Sequence, residues 1–247
     1  MSEQRGHPIA LSPKQQLVLT AERLYALHGL DGVPLRHIGV AAGMANKSAV
    51  QYHFGSKENL IQAILINRID GLTHRRELLE ARLSDGNLRQ ILEAHHLPLI
   101  ELAEDEDCYY LPFLELLLRE SHPMDDLTER HRESKRSYYA QLDLLLRHIP
   151  QPVRDMRVHQ ASAVCVHISA DRHRMRMHGV TVAPYALHVS QLLDLLVSIL
   201  TTPPSEETLA ALESSPQKRR CTESFPELES PTGAVDLQRE PLWAASG

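Results

Sequence analysis

Hydrophobic residues recur at helical spacing from the start of the chain. The first set lies three or four residues apart, on one face of a helix: Leu17, Ala21, Leu24 and Leu27. Ser12-Pro13-Lys14-Gln15 precedes this set and combines a capping serine, a proline suited to the first turn and a glutamine that completes a capping box. Gly29 can end the helix in a left-handed conformation. The pattern predicts a helix over residues 13–28.

Two shorter amphipathic segments follow. Pro34 suits the opening of a helix over residues 35–42, and Gly43 suits its end. Asn46 can cap a third helix, predicted from Lys47 to His53. Two short helices joined by a glycine turn and braced by a longer helix make a helix-turn-helix unit.

The third helix carries two different faces. Its polar side chains offer donors and acceptors to base edges and phosphates: Asn46, Lys47, Ser48 and Gln51. Its apolar side chains can pack against the first two helices: Ala49, Val50 and Phe54. The segment therefore has the composition of a helix that reads a DNA groove.

The rest of the chain also favours helices. Ser56 can cap a fourth helix that runs to about Leu83, and no run rich in Val, Ile and Thr alternates with the period of a strand. Further helices are predicted at residues 88–104, 107–121, 125–149, 153–178 and 184–201. The fold class predicted from these patterns is all-α.

Composition divides the chain into three regions. Residues 1–60 form the predicted helix-turn-helix domain, and residues 61–202 form a second helical domain. Residues 203–247 hold six of the 15 prolines and many Ser and Glu residues. We expect a disordered tail there, with one weak helical turn near residues 206–212.

The charge distribution favours DNA binding by the first region. The whole chain carries a formal charge of −6, but residues 1–60 hold six basic and four acidic side chains, a net charge of +2. The segment between Asp31 and Glu58 contains Arg36, Lys47 and Lys57 and no acidic residue. A local positive surface is what phosphate binding requires.

The composition also bears on location. No apolar stretch approaches the roughly 18 residues of a membrane span, so we expect no membrane association. The three cysteines, Cys108, Cys165 and Cys221, are far apart and odd in number. They indicate free thiols in a reducing cytoplasm rather than a disulfide framework.

Several motifs in the first region resemble the DNA-binding signature of the tetracycline-repressor (TetR) family. They are Leu35-Arg36-His37-Ile38, Ala42-Gly43-Met44, Ala49-Val50 and Tyr52-His53-Phe54-Gly55-Ser56-Lys57-Glu58-Asn59-Leu60. The resemblance covers about residues 12–66. It implies a transcriptional regulator, usually a ligand-responsive repressor, that binds palindromic double-stranded DNA as a homodimer. It implies no cofactor.

The resemblance and the residue chemistry together suggest DNA contacts. We expect phosphate contacts from Arg36, Tyr52, His53 and Lys57. We expect base contacts from Lys47, Ser48 and Gln51, because lysine can donate to guanine and glutamine can bond adenine bidentately.

The second domain is then expected to bind a small effector and to dimerise. The last two helices carry apolar stripes that pair with their copies in proteins of this type, or simply pack on their own domain. The interface residues predicted are Ala161, Ile168, Val189, Leu193, Leu196 and Leu200. An effector, mostly apolar with a polar handle, would contact His96, Tyr109, Tyr110, Phe113, Leu117, Tyr139 and Cys165.

Three other interpretations remain open on the sequence alone. Pro34, Gly39 and one additional residue after Gly43 depart from the usual family pattern, which leaves room for an interaction module that has lost DNA binding. A metal-binding helical protein is disfavoured, because Glu93-x-x-His96 occurs once and no two histidines are three or four residues apart. An enzyme is disfavoured by the lack of a phosphate loop or a nucleophile motif.

Overall fold

Side-chain caps mark the start of several helices. The computed structural model describes residues 11–83, 86–120 and 128–214, and the residues in these ranges form helices and no strand. The helices are α1 (Pro13–His28), α2 (Leu35–Ala41), α3 (Ala49–Phe54), α4 (Lys57–Glu80), α5 (Leu88–Glu101), α6 (Tyr110–Arg119), α7 (Glu129–Leu145), α8 (Gln151–Met177), α9 (Tyr185–Thr201) and α10 (Glu206–Ser214). A 3₁₀ turn, Leu102–Glu104, continues α5.

The caps predicted for α1 and α4 are present. The backbone N–H of Gln15 donates to Ser12 Oγ at 3.3 Å, and Gln15 Oε1 accepts from the backbone N–H of Ser12 at 3.0 Å. Ser56 Oγ accepts from the backbone N–H of Asn59 at 3.1 Å. Asn87 and Gln90 form a second capping box, at the start of α5.

The predicted start of α3 is wrong by two residues. Asn46 Oδ1 accepts from the backbone N–H of Ser48 at 2.9 Å, and the Asn46 carbonyl accepts from the backbone N–H of Ala49 at 3.0 Å. The side chain therefore closes a turn of its own, because asparagine competes with the helix for nearby N–H groups. Lys47 and Ser48 lie in that turn, and the helix begins at Ala49.

Two other predicted helices are shorter in the structure. The segment predicted at 107–121 is helical over Tyr110–Arg119, because Asp105 Oδ1 accepts from the backbone N–H of Asp107 and holds a turn before it. The segment predicted at 125–149 is helical over Glu129–Leu145, and its residues 125–127 lie outside the described ranges.

The first hydrophobic core joins the helix-turn-helix to the rest of the chain. It gathers buried residues of α1 to α4 together with residues of α6 and α8. Tyr25 of α1 is fully buried, and its ring stacks on that of Phe113 in α6 with centroids 6.3 Å apart. Arg23 in turn lies over the ring of Tyr109, 5.5 Å from its centroid. Residues on both sides of position 60 therefore share one core.

The second core contains most of the residues predicted for the dimer interface. Ala161, Leu193, Leu196 and Leu200 are no more than 1% exposed, and they pack with residues of α5 and α7 in the same protomer. Within the protomer these four side chains leave almost no surface for a partner, which favours the alternative that they pack on their own domain. Ile168 and Val189 are half-buried against the same core. The apolar stripes of α8 and α9 thus face their own domain.

The beginning of the expected tail is ordered as a helix. α10 spans Glu206–Ser214 and has no buried residue, so the weak turn predicted near residues 206–212 is a complete short helix. The remainder of the predicted tail, residues 215–247, lies outside the described residues. No single helix in the described ranges is long and apolar enough to cross a membrane, although α9 and α10 together, bent by 52°, would pass on length and composition.

Candidate nucleic-acid interface

Helix α3 turns a polar face to solvent. Ala49, Val50 and Phe54 are buried against the first core. Gln51, Tyr52 and His53 occupy the opposite side and are exposed, with Tyr52 the most exposed at 82%. A large aromatic side chain that is displayed rather than packed is available for contact with another molecule.

The turn before α3 extends this polar face. Lys47 and Ser48 are both exposed, next to the exposed part of α3. Asn46 is exposed as well, but its side-chain oxygen is already engaged by the backbone N–H of Ser48. Asn46 therefore shapes the surface that its two neighbours present.

A glycine motif at Gly43 ends α2 and leads into the exposed turn before α3. Gly43 has a φ of +71°, a left-handed conformation that favours glycine. Its N–H donates to the Val40 carbonyl at 3.0 Å, and the N–H of Met44 donates to the Gly39 carbonyl at 3.0 Å. These two bonds are those of a Schellman motif, so α2 ends sharply and the chain reverses into the turn.

A surface concavity lies between α2 and the turn. It has a volume of about 580 Å³ and is lined by Pro34, Arg36, His37, Val40 and Lys47. Arg36 and His37 project from the first turn of α2 and are exposed. The concavity places three nitrogen-bearing side chains beside the exposed face of α3.

The amino end of α4 borders the same surface. The amide of Asn59 donates from Nδ2 to the Phe54 carbonyl at 2.8 Å, which ties the end of α3 to the start of α4. Lys57 Nζ lies 2.8 Å from Asp31 Oδ1, and this hydrogen bond and charge lower the pKa of the Asp31 carboxyl. Lys57 is thus held by a carboxylate, although the Asp31 side chain is 98% exposed.

Comparison with known families identifies this unit. Residues 17–64 match the family model described as bacterial regulatory proteins, tetR family. This segment of the chain is similar to TetR-family regulators. No curated protein matches the chain in sequence.

Solved structures with this TetR fold span most of the chain. A tetR-family transcription regulator from Shewanella sp. PV-4 is 17% identical, covers 75% of this chain and 96% of its own, and has a TM-score of 0.50. The fatty acid degradation regulator FadR from Bacillus halodurans is 17% identical, with 76% and 96% covered and a TM-score of 0.51. A transcriptional regulator from Rhodococcus sp. Rha1 is 19% identical, with 77% and 96% covered and a TM-score of 0.50. At these identities the likeness shows the fold alone.

The effector-contact residues predicted from the sequence do not all lie together, although His96, Tyr110 and Cys165 all lie near Arg76 of α4. Tyr110, Phe113 and Leu117 are buried in the first core, whereas His96 and Cys165 are buried beside the second. The remaining two, Tyr109 and Tyr139, lie elsewhere: Tyr109 is half-buried under Arg23, and Tyr139 is 38% exposed beside Lys135. The structure does not bring the seven residues together around one cavity.

Sequence analysis missed two buried polar contacts. Glu22 of α1 is 2% exposed and accepts two hydrogen bonds from Arg68 of α4, at 2.8 and 3.0 Å. Arg76 of α4 is 7% exposed, and its Nε donates to the His95 carbonyl at 2.8 Å. No local sequence pattern indicates that Glu22 or Arg76 is buried, because the residues that they contact are distant in sequence. Among the described residues no cluster of His, Cys, Asp and Glu is suited to a metal ion.

Proposed function

We propose that this chain is a transcriptional regulator that binds a palindromic operator as a homodimer and releases it when an effector binds. One observation carries the proposal: α3 and its preceding turn expose Lys47, Ser48 and Gln51 while Ala49, Val50 and Phe54 anchor the helix in the core. A rigidly anchored helix with an exposed polar face is what readout of a major groove requires.

The geometry supports a division of labour at the DNA. Lys47, Ser48 and Gln51 form the centre of the exposed face and are proposed to contact base edges. Arg36, Tyr52, His53 and Lys57 surround this centre and are proposed to contact phosphates. Asn46 is proposed to act on DNA through the turn that it closes.

We propose a two-fold symmetric dimer because the helix-turn-helix of one protomer is small. A single short helix reads few base pairs, and a dimer gains affinity from a second half-site about 34 Å away. Apolar side chains on α8 and α9 that remain exposed in the protomer provide a surface for the second copy: Met156, Leu187 and Leu195 are 54%, 53% and 41% exposed. We propose this outer face, rather than the buried stripes, as the dimer interface.

Effector control is proposed on thermodynamic grounds. The core shared by α1 and α6 connects the reading unit to the rest of the protomer through Tyr25 and Phe113. A ligand that binds the DNA-free arrangement more tightly must weaken operator binding by the same factor. On this proposal residues 1–60 read DNA, residues 61–202 bind effector and partner, and the protein acts on DNA in the cytoplasm.

In vitro selection from random duplex DNA tests the proposal. We expect the full chain to enrich an inverted repeat whose half-site centres lie about 10 base pairs or a multiple apart. Failure to enrich any sequence over the starting pool, with a folded protein, would indicate an interaction module without DNA binding. Enrichment of a single half-site would contradict the homodimer.

A further inference from the structure

A buried positive charge lies in the middle of the second domain without a negative partner. Arg76 is 7% exposed, and among residues 11–83, 86–120 and 128–214 no carboxylate oxygen comes within 4 Å of its guanidinium. Its one hydrogen bond is the 2.8 Å contact from Nε to the His95 carbonyl. A guanidinium has five N–H donors and stays protonated in proteins.

Six histidine, tyrosine and cysteine side chains lie close enough to Arg76 to interact with its charge. We call them the Arg76 cluster: His95, His96, Tyr110, His131, Tyr138 and Cys165. The His95 ring stacks on Tyr138 with centroids 3.6 Å apart, and His96 Nε2 lies 3.3 Å from Tyr138 Oη. Burial, with the charge of Arg76, lowers the pKa of His96 to about 3 and of His131 to about 4. Near pH 7 these rings are uncharged.

The two carboxylates that follow Arg76 on α4 do not resolve the imbalance, because Glu77 pairs with Arg130 and Glu80 stays apart from Arg76. Glu80 lies one turn further along α4, and burial raises the pKa of its carboxyl while the charge of Arg76 lowers it. The two side chains form no ion pair within 4 Å. An uncompensated buried charge is strongly unfavourable, and proteins pair or coordinate such groups.

A structural role accounts for only one donor of Arg76. Pro98 lies inside α5 and lacks an N–H, so the carbonyl of Ala94, next to His95, loses its regular helical partner. The bond from Arg76 to the His95 carbonyl stabilises this region. The other four N–H donors and the charge itself have no partner among residues 11–83, 86–120 and 128–214.

We propose that Arg76 recognises the carboxylate of an organic anion, and that this anion is the effector. The proposal rests on the regulatory function proposed above and specifies its ligand class. A carboxylate matches the guanidinium fork and can accept two parallel hydrogen bonds. Among the described residues, His95 Nδ1 is a buried polar atom without a partner on the residue whose carbonyl Arg76 contacts, which leaves a second polar group for the same ligand.

Apolar side chains neighbour the cluster, and we propose that they contact an apolar body of the anion. Leu92, Ile100 and Leu142 belong to the same core as Tyr138 and are no more than 1% exposed. Arg76 also lies on α4, the helix whose first residue is Lys57. An anion that binds Arg76 therefore acts on α4, the helix that begins at the proposed DNA surface.

Thermal unfolding of the full chain with matched probes tests the proposal. The probes are octanoate and benzoate, compared with octanol and benzyl alcohol at equal concentration. We expect at least one carboxylate to raise the Tm by about 5 °C at about 100 times its Kd, and its alcohol to leave the Tm unchanged. Equal shifts by acid and alcohol, or no shift with either acid, would overturn the proposal.

Variants locate the effect at Arg76. Arg76→Met keeps the length of the side chain and removes the charge, and should abolish the carboxylate shift. Because the unpaired charge is unfavourable, this variant should unfold at or above the Tm of the unliganded wild type. Arg76→Lys, which keeps the charge without the planar fork, should reduce the shift. Arg147→Met, at an exposed position on the same domain, should retain it.

The test separates the two proposals. The thermal shift needs no DNA, so a shift that depends on Arg76 in a protein that selects no DNA sequence would contradict the regulatory function alone. Selection of an operator without a carboxylate shift would overturn the anion proposal alone. A shift that persists in Arg76→Met at the wild-type size would also overturn it.

Discussion

Lys57 and Asp31 form an ion pair at the edge of the proposed DNA surface, with the ammonium nitrogen 2.8 Å from the carboxylate oxygen. The pair links the turn after α1 to the first residue of α4. An exposed pair of this kind adds little stability. Its consequence is electrostatic, because Asp31 competes with a phosphate for Lys57.

Releasing Lys57 should strengthen DNA binding. We expect Asp31→Asn to bind every duplex sequence several-fold more tightly at low salt, and Lys57→Ala to bind every sequence less tightly with a salt slope lower by about one. Anisotropy titrations over a range of salt concentrations measure both. Glu213→Gln removes one exposed carboxylate on α10 and serves as the control.

The double variant isolates the competition. If Asp31 acts through Lys57, Asp31→Asn should have little effect when Lys57 is already alanine. An equal gain in both backgrounds would show that Asp31 only repels DNA. A gain no larger than that of Glu213→Gln would contradict any role for the pair.

The buried pair of Glu22 and Arg68 should contribute to stability as a unit. Glu22→Leu leaves a partly buried guanidinium without its partner, and Arg68→Met leaves a buried carboxylate. We expect each single variant to lower the free energy of unfolding by about 3 kcal/mol, and the double variant to lose less than the sum. Urea unfolding of all four proteins measures the coupling. Additive losses of stability in the double variant would contradict this coupling. Glu129→Leu, which removes an exposed ion pair, provides the control.

Local chemistry explains what the sequence predicted well. Ser12, Ser56 and Gly43 act through hydrogen bonds to residues within a few positions, so their patterns specify helix ends without knowledge of the fold. Asn46 misled the prediction of α3 because the same side chain can cap a helix or close a turn.

Long-range packing explains what could not be predicted. An apolar stripe such as Leu193 to Leu200 has the same spacing whether it faces its own core or a second copy, and the structure places it in the core. In the sequence, Glu22 of α1 and Arg76 of α4 have the pattern of ordinary charged residues on a helix surface. Their burial depends on helices that are distant in sequence, so no local spacing indicates it.

Buried neutral histidines should make stability depend on pH. The unfolded chain takes up protons near pH 6.5, whereas His96 and His131 do so only near pH 3 and 4, and the pKa of His95 is also well below its usual value. At pH values between the folded and unfolded pKa of these histidines, the protein therefore takes up protons when it unfolds. The free energy of unfolding should fall as the pH drops from 7 to 5, by up to about 1.4 kcal/mol per pH unit for each such histidine.

Urea unfolding midpoints at several pH values check this dependence. Burial raises the pKa of Glu80 and of Asp155, and these carboxyls act in the opposite direction. His96→Gln should reduce the slope, whereas His159→Gln at an exposed position of α8 should not. Stability that is constant from pH 7 to pH 5 would contradict the burial of neutral rings.

The outer face of α9 should hold the dimer together. Leu195 is 41% exposed, so Leu195→Arg can place its charge in solvent without disturbing the protomer core. We expect this variant to elute as a folded monomer in size-exclusion chromatography with light scattering. Leu27→Arg, at a 53% exposed position of α1, should remain dimeric. A Leu195→Arg dimer of wild-type stability would exclude this face as the interface.

The reading face of α3 is tested most directly by a titration of the selected operator with wild type, Gln51→Ala and Arg147→Ala. Gln51 is exposed on α3 and Arg147 is exposed far along the chain. We predict that Arg147→Ala binds as wild type does, and that Gln51→Ala loses about 1–3 kcal/mol and its preference at one base pair of each half-site. Wild-type affinity and preference in Gln51→Ala would contradict the proposed docking of α3.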